Sequence, residues 1–249
     1  MQPHLNRYWL NAEPDDPQEF SQQVKLVCQL YEDAPTLYSQ GIHLVSTDEM
    51  TGIQALERVH PSKPMRPGQV ELTEFEYIRH GTQSLIANWE VALGRVIAPS
   101  IGPTRTEYDF ANHIANTIET DPEAAWVFIV DQLNTHKSAS LVRLVAACCQ
   151  LEIDLGVKEK SGILFSMATR QAFLSDTEHR VRFVYVPKHT SWLNQIEIWF
   201  SILVRRLLKQ ASFKSTDELK QRILAFINYF NQTMAKPFQW KYKGHPQAA

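Results

Sequence analysis

The sequence has few cysteines and no long apolar run, and each absence excludes a class of protein. Its three cysteines, Cys28, Cys148 and Cys149, are too few for a disulfide framework, so we expect reduced, buried packing residues. No apolar stretch approaches the roughly 18 residues that span a bilayer, and residues 1–9 lack the apolar core of a secretory signal. We therefore expect a cytoplasmic protein that has no membrane partner.

The signatures of several kinds of enzyme are missing as well. No phosphate-binding glycine-rich loop occurs, which argues against a nucleotide cofactor, and no His/Cys spacing indicates a zinc site. No Ser/His/Asp arrangement supports acyl transfer. Hydrophobic residues make up 44% and charged residues 21% of the chain, values typical of a globular protein with a sizeable core.

The charge of the chain is unevenly distributed. The net charge is only -2, but residues 180–249 contain 12 Lys and Arg against 3 Asp and Glu. A basic C-terminal region on an otherwise acidic chain favours an anionic partner, with nucleic acid as the leading candidate. The alternative is an ordinary solvated helix surface, which charge alone does not exclude.

Hydrophobic periodicity and turn residues predict alternating helices and strands. The predicted strands are residues 41–48, 126–131 and 182–187. The predicted helices are residues 15–33, 108–120, 138–151, 191–210 and 216–231. Residues 71–98 predict an antiparallel hairpin that turns at Arg79–Thr82, where a glycine permits a tight turn. This order predicts an α/β fold with a mixed central sheet, flanking helices and C-terminal helices.

Three acidic residues follow or face the predicted strands. Asp48 and Asp131 each end a strand, and Glu197 lies in the helix that follows the last strand. If the two strands are neighbours, the three carboxylates converge. Carboxylate oxygens are suitable ligands for Mg²⁺ or Mn²⁺, and two such ions catalyse phosphodiester hydrolysis and strand transfer.

Each acid also has a purely structural interpretation. Asp48 could open a turn, and Asp131 could open a turn or cap a helix. Glu197 could form a capping box with Asn194, in which the glutamate reaches back to the backbone amide of the cap residue. Against this, Glu197 lies beside the apolar stripe of its helix, and a buried acid requires a partner.

Four segments around the acids carry a family resemblance, namely Thr47–Arg58, Glu76–Thr82, Val130–Ser138 and Leu193–Trp199. In this order they resemble the mariner superfamily of transposases, specifically its bacterial insertion-sequence branch. Thr47–Arg58 resembles the segment with the first catalytic aspartate, and Glu76–Thr82 resembles the family's hairpin. Val130–Ser138, with Asp131 and His136, is similar to the second aspartate segment. Leu193–Trp199 is similar to the Leu-Asn-Pro-Ile-Glu-x-x-Trp motif that contains the third acid.

The resemblance implies an RNase H-like DDE endonuclease. Its implied catalytic and metal-binding residues are Asp48, Asp131 and Glu197, which would bind two Mg²⁺ or Mn²⁺ ions. The implied reaction is cleavage of DNA at element ends and strand transfer into target DNA, by a homo-oligomer on nucleoid DNA. Glu49 follows the first aspartate directly, but alternation along a strand predicts that its side chain points to the opposite face.

Several features depart from the family pattern. Gln132 and Gln195 replace the usual asparagine and proline, and 65 residues separate Asp131 from Glu197. We attribute the surplus to an insertion near residues 151–179. Residues 1–40 are interpreted as a linker and helix, and residues 41–249 as the catalytic domain.

Only about 40 residues precede the first predicted strand, so we expect this chain to lack the family's helix-turn-helix units. The alternative function is therefore a non-catalytic, truncated remnant or regulatory partner that binds DNA or a full-length transposase. A host RNase H-like nuclease is a third candidate, against which the four mariner-like segments argue.

Basic residues after the last strand are candidates for DNA contacts. Lys188, His189, Arg205, Arg206 and Lys209 could line a groove for the DNA backbone beside the metals. A solvated helix flank is an equally good interpretation. His80 and His136 could contact phosphates, although single histidines are more often structural.

Overall fold

A five-stranded mixed sheet forms the centre of the molecule. The computed structural model describes residues 16–72, 74–209 and 211–242. The strands are β1 (Ile42–Arg58), β2 (Tyr77–Glu90), β3 (Arg95–Gly102), β4 (Ala125–Val130) and β5 (Val181–Tyr185). They lie in the order β3-β2-β1-β4-β5. Strands β1, β2 and β3 are antiparallel, and β4 and β5 run parallel to β1. The predicted mixed sheet is confirmed.

Six α-helices flank this sheet. They are α1 (Pro17–Ser39), α2 (Glu107–Ile118), α3 (Ala139–Cys148), α4 (Met167–Leu174), α5 (Ile196–Leu203) and α6 (Thr216–Thr233). Five of these six helices begin at side chains that accept hydrogen bonds from the first turn, namely Asp16 for α1, Thr106 for α2, Ser138 for α3, Ser166 for α4 and Ser215 for α6. None of the helices in the described residues is long and apolar enough to cross a membrane.

The sheet has a hydrophobic core on each face. Helices α1, α5 and α6 cover one face, where Trp89 and Trp199 are fully buried. Helices α2, α3 and α4 cover the other face, where Trp126 and Phe128 are fully buried. Because side chains alternate along a strand, β4 contributes to both cores. The predicted strand at residues 126–131 is therefore a central strand that is covered on both sides.

Strand β1 does not end at Asp48 as predicted. It continues for ten residues beyond this aspartate, and only its first part has neighbours on both sides. The parallel pairing with β4 ends where Ser46 lies opposite Ile129, whereas Asp48 still pairs with Ala87 of β2. Asp48 therefore lies at the point where β4 stops, which opens the sheet beside it.

The predicted hairpin turn at Arg79–Thr82 is wrong. Strand β2 runs straight through these residues, and Gly81 lies in it with a φ of +109°. The pairing with β1 shifts register between Thr82 and Arg79, so the glycine occupies a β-bulge. A bulge and a tight turn both require the conformational freedom of glycine, and the sequence pattern does not distinguish them.

The helix predicted at residues 191–210 is interrupted. A short 3₁₀ turn at Ser191–Leu193 precedes Asn194, α5 begins at Ile196, and a π-helical turn at Val204–Leu208 continues it. Helix α1 extends past its predicted end at residue 33 to Ser39.

Residues 151–179, predicted as an insertion, pack against the second core. Leu164 and Leu174 are buried there, and the buried guanidinium of Arg170 donates to the carbonyls of Lys137 and Leu164 at 2.6 and 3.0 Å. Whether the segment is an insertion stays a prediction.

All three cysteines are free, but only Cys28 is buried. Cys148 and Cys149 are half-buried, so their prediction as fully buried residues is wrong.

Candidate active site

Asp48 lies in β1 with its side chain toward α5. The residue is 8% exposed. Its carboxylate accepts a hydrogen bond from the amide of Asn194 at 3.2 Å and from the backbone N–H of Glu49 at 2.7 Å. Burial, together with the negative charge of Asp131, raises the pKa of Asp48 to about 7. Asp48 does not open a turn, so that interpretation is wrong.

Asp131 directly follows β4 and is more exposed than Asp48. Its Oδ1 accepts from the backbone N–H of Leu133 at 2.9 Å and lies 2.8 Å from Nδ1 of His136. Burial acts to raise the pKa of Asp131, but the hydrogen bond and charge of His136, the hydrogen bond from Leu133 and the charge of Lys137 together lower this pKa below its ordinary value. The hydrogen bond from the N–H of Leu133 forms the turn that was predicted at Asp131. Asp131 therefore also stabilises this turn.

A buried hydrogen-bond network fixes the loop before α5 to β1. The hydroxyl of Ser46 donates to Oδ1 of Asn194 and accepts from the backbone N–H of Ile196 at 2.9 Å. The Asn194 amide donates to the carbonyl of Thr47 at 3.1 Å. The hydroxyl of Tyr31 in α1 donates to the carbonyl of Leu193 at 2.8 Å. Asn194 is fully buried and thereby sets the position of α5 relative to Asp48.

This network excludes the capping-box interpretation of Glu197. No side chain caps α5, because Asn194 points to β1 and only its carbonyl accepts from the N–H of Glu197. Glu197 is half-buried in the first turn of α5. Burial and the negative charge of Asp131 raise its pKa.

The three acids affect one another electrostatically, but their carboxylates do not converge on one point. The charge of Asp131 acts on both Asp48 and Glu197. Among the described residues, no three His, Cys, Asp or Glu side chains are gathered closely enough to hold a metal ion. The donor set nevertheless suits a hard divalent cation, because it consists of carboxylates whose mutual repulsion a cation would compensate.

Glu49 and His136 form a second arrangement beside these acids. Glu49 points to the opposite face from Asp48, as alternation predicted. Its carboxylate lies 3.0 Å from Nε2 of His136, whose other ring nitrogen contacts Asp131. Burial acts to lower the pKa of His136, but hydrogen bonds to Asp131 and Glu49 raise it to about 9. Glu49 was not among the predicted site residues. Its position directly after Asp48 was the one sequence feature that could have indicated a role at this site.

The other predicted residues lie on the surface. Lys188, His189, Arg205, Arg206 and Lys209 are all exposed. Within the described residues, neither arginine forms an ion pair. Burial and the nearby charge of Lys188 lower the pKa of Lys137, so two cations lie close together near Asp131. His80 instead pairs with Glu57 at 2.8 Å on strands β1 and β2.

Comparisons with known proteins give a family and a fold. A family model described as DDE superfamily endonuclease matches residues 43–220. The crystal structure of the Mos1 mariner paired-end complex with Mn is similar, with a TM-score of 0.52 and 12% identity over 90% of this chain and 60% of that chain. The catalytic domain of Mos1 mariner transposase gives a TM-score of 0.51 and 10% identity over 88% of this chain and 85% of that one.

These matches have a defined extent. The chain spans about 60% of the length of the transposase chain in the paired-end complex. No curated protein matches it. At this level of identity the structural likeness concerns the fold, and the RNase H-like fold implied by the sequence resemblance is confirmed.

Proposed function

Since the chain belongs to the DDE superfamily endonucleases, we propose that it is the catalytic core of a DNA transposase. It would cleave DNA at element ends and join those ends to target DNA. The observation that carries this proposal is the neighbourhood of Asp48, Asp131 and Glu197, contributed by β1, the end of β4 and the start of α5. All three lie within the matched residues 43–220.

The three acids are proposed as ligands of Mg²⁺ or Mn²⁺. Two ions bound there would activate a water or a 3′-hydroxyl and stabilise the leaving oxygen. Asp131 is ionised at neutral pH and supplies a permanent negative charge. Asp48 is buried beside it, and Asn194 holds the Asp48 carboxylate by one oxygen. The Asn194 network keeps Glu197 on the same side of the sheet, so the chain itself positions all three oxygen donors.

DNA is the proposed partner. The similar mariner structure is a paired-end complex. In this chain, Lys188 and Lys137 lie near Asp131, and Arg205 and Arg206 are exposed without ion pairs among the described residues. Unpaired surface cations near a phosphodiester-cleaving site suit binding of the DNA backbone. A homo-oligomer that holds two element ends, acting on nucleoid DNA in the cytoplasm, is part of the same proposal.

A plasmid assay tests the function. The chain is incubated with supercoiled plasmid and Mn²⁺, beside Asp131→Asn and the control Asp154→Asn. Asp154 is an exposed aspartate whose side chain accepts from the N–H of Gly156, a bond that asparagine can also accept. We expect nicking by the unaltered chain and the control, its loss in a chelator, and at least a roughly thousandfold loss in Asp131→Asn.

The outcomes separate the competing functions. If the folded, unaltered chain binds DNA but does not nick it in Mn²⁺ or Mg²⁺, the enzyme proposal is wrong and the regulatory alternative is favoured. If Asp131→Asn nicks as fast as the unaltered chain, the site assignment is wrong. A chain that cuts RNA in preference to DNA would favour the host-nuclease alternative.

A further inference from the structure

A histidine behind the proposed metal site bridges two carboxylates. His136 is fully buried, and each of its ring nitrogens faces an acid: Nδ1 lies 2.8 Å from Oδ1 of Asp131, and Nε2 lies 3.0 Å from Oε2 of Glu49. The backbone of His136 is also fixed, because the hydroxyl of Tyr185 donates to its carbonyl at 2.7 Å. The ring packs on Phe110 with 4.2 Å between centroids. His136 therefore has little freedom to move.

The buried carboxylate of Glu49 lowers the stability of the folded protein. Its side chain is 1% exposed, and Oε1 has no hydrogen-bond partner among the described residues. A buried carboxylate with one unsatisfied oxygen is less favourable than a packed hydrophobic side chain of similar size. The cost is consistent with a role that requires a fixed acceptor behind His136.

The fixed histidine contacts one of the two carboxylate oxygens of Asp131. Both Leu133 N–H and His136 Nδ1 contact Oδ1 of Asp131. No hydrogen bond within the described residues reaches Oδ2. The carboxylate is therefore held by one oxygen while the other remains available to a cation.

We propose that His136, held in place by Glu49, is a positioning residue that orients Asp131 for metal binding. The inference rests on the proposed function, since it assigns a supporting role at the same site. Glu49 fixes the imidazole, the imidazole fixes Oδ1 of Asp131, and Oδ2 would be the oxygen left to hold a divalent ion. Supporting residues of this kind typically change metal affinity by roughly 10- to 100-fold when they are replaced.

A second buried histidine provides a matched comparison. His113 in α2 is also fully buried, but its Nδ1 contacts the hydroxyl of Ser100 at 2.8 Å and its Nε2 has no partner among the described residues. No acid contacts it. Replacing His113 therefore measures the effect of losing a buried histidine without disturbing the contact to Asp131.

The test measures Mn²⁺ affinity of the full chain without DNA, by electron paramagnetic resonance of free Mn²⁺, together with the melting temperature in chelator. We expect Asp131→Asn to abolish binding, and His136→Gln and Glu49→Gln to weaken it by roughly 10- to 100-fold. His136→Asn should bind more tightly than His136→Gln, because the asparagine amide lies where Nδ1 lies. His113→Asn should lower the melting temperature and leave Mn²⁺ affinity within about twofold.

The outcomes distinguish this inference from the proposed function. If the unaltered chain shows no Mn²⁺ binding that depends on Asp131, the proposed metal site itself is wrong. If it binds Mn²⁺ but His136→Gln and Glu49→Gln bind like His113→Asn, the positioning role is overturned. Equal losses in His136→Asn and His136→Gln would also overturn it, because the contact through Nδ1 would then not matter.

Discussion

In the part of the chain that the structure describes, three acids have side chains buried in the sheet, and two of them pair with a histidine. Glu90 has a fully buried side chain that lies 2.6 Å from Nδ1 of His43, and Glu49 lies 3.0 Å from Nε2 of His136. Within the described residues, the hydrogen bonds to the Asp48 carboxylate come from the side-chain amide of Asn194 and the backbone N–H of Glu49. The chain thus supplies a titratable cation to the first two and amide dipoles to the third.

The difference shows which acid is left for an external cation. A buried carboxylate beside a histidine can share its charge within the protein, whereas one beside amides keeps an uncompensated charge. Burial and the negative charge of Asp131 raise the pKa of Asp48, and the more distant charge of His136 only partly opposes them. Among these three buried acids, the group that contacts each carboxylate therefore indicates which one is left for an external cation.

Replacing Asp48 should give the largest effect, with opposite signs for activity and stability. Asp48→Asn removes a proposed metal ligand, so we expect DNA nicking to fall by at least roughly a thousandfold. In chelator the same variant should unfold at a higher temperature, by roughly 1 to 3 kcal/mol in stability, because the loss of a buried charge outweighs the loss of one hydrogen bond. The single amide oxygen of the asparagine can accept from the N–H of Glu49 or from the Asn194 amide, but not from both.

The matched variant is Glu90→Gln, which should lower stability, since it removes the partner of His43. Calorimetric melting in chelator measures both. A lower melting temperature for Asp48→Asn than for the unaltered chain would contradict the comparison, because Asp48 would then be compensated within the protein.

Much of the architecture was predictable because it depends on local patterns. The apolar run before Asp131 and the periodicity of α2 and α6 each indicated an element that the structure contains. These signals involve residues within a few positions of one another, so the sequence displays them directly. The mixed sheet followed from their order.

Long-range pairing was not predictable in the same way. The continuation of β1 beyond Asp48 depends on β2, and Gly81 occupies a bulge whose partner lies in another strand. The break at Asn194 depends on Ser46, which is 148 residues away in sequence. The three acids were identified from surrounding motifs, whereas the contacts of His136 required Glu49 to arrive from β1. Residue type alone gave no sign of that contact.

Replacing Asn194 should have the next largest effect, since it disrupts the amide contact that distinguishes Asp48. Asn194→Leu has similar volume but leaves the Ser46 hydroxyl and the Thr47 carbonyl without their partner. We expect a loss of roughly 2 to 4 kcal/mol in stability from these unsatisfied buried groups. We also expect nicking by the folded fraction to fall at least about tenfold, because α5 and Glu197 lose their attachment to β1.

The control is Asn231→Leu in α6. Asn231 is half-buried and bonds both backbone groups of Val96, at 3.0 Å from the N–H and 2.7 Å from the carbonyl. It should lose stability but retain nicking per folded molecule. Urea unfolding and nicking assays at matched folded fractions measure the two effects. Equal nicking by the two variants would show that Asn194 contributes only to folding.

The smallest effect should appear in the pH dependence of the His43–Glu90 pair. The pKa of His43 is raised, chiefly by its hydrogen bond to Glu90, so folding favours the protonated imidazole. The resulting stability is present in full below the ordinary histidine pKa of about 6.5 and is lost as pH rises through the higher value in the folded protein. His43→Gln should therefore destabilise the chain by roughly 1 kcal/mol more at pH 6 than at pH 9.

His113 provides a control of opposite sign for that pH series. Burial lowers its pKa to about 3, so the folded chain keeps it neutral and loses stability as pH falls below about 6.5. The free energy of unfolding of His113→Asn, relative to that of the unaltered chain, should therefore be higher at low pH than at high pH. Urea unfolding from pH 5 to 9 measures both differences. A difference for His43→Gln that does not change with pH would mean that Glu90, like Asp48, is buried without a protein cation.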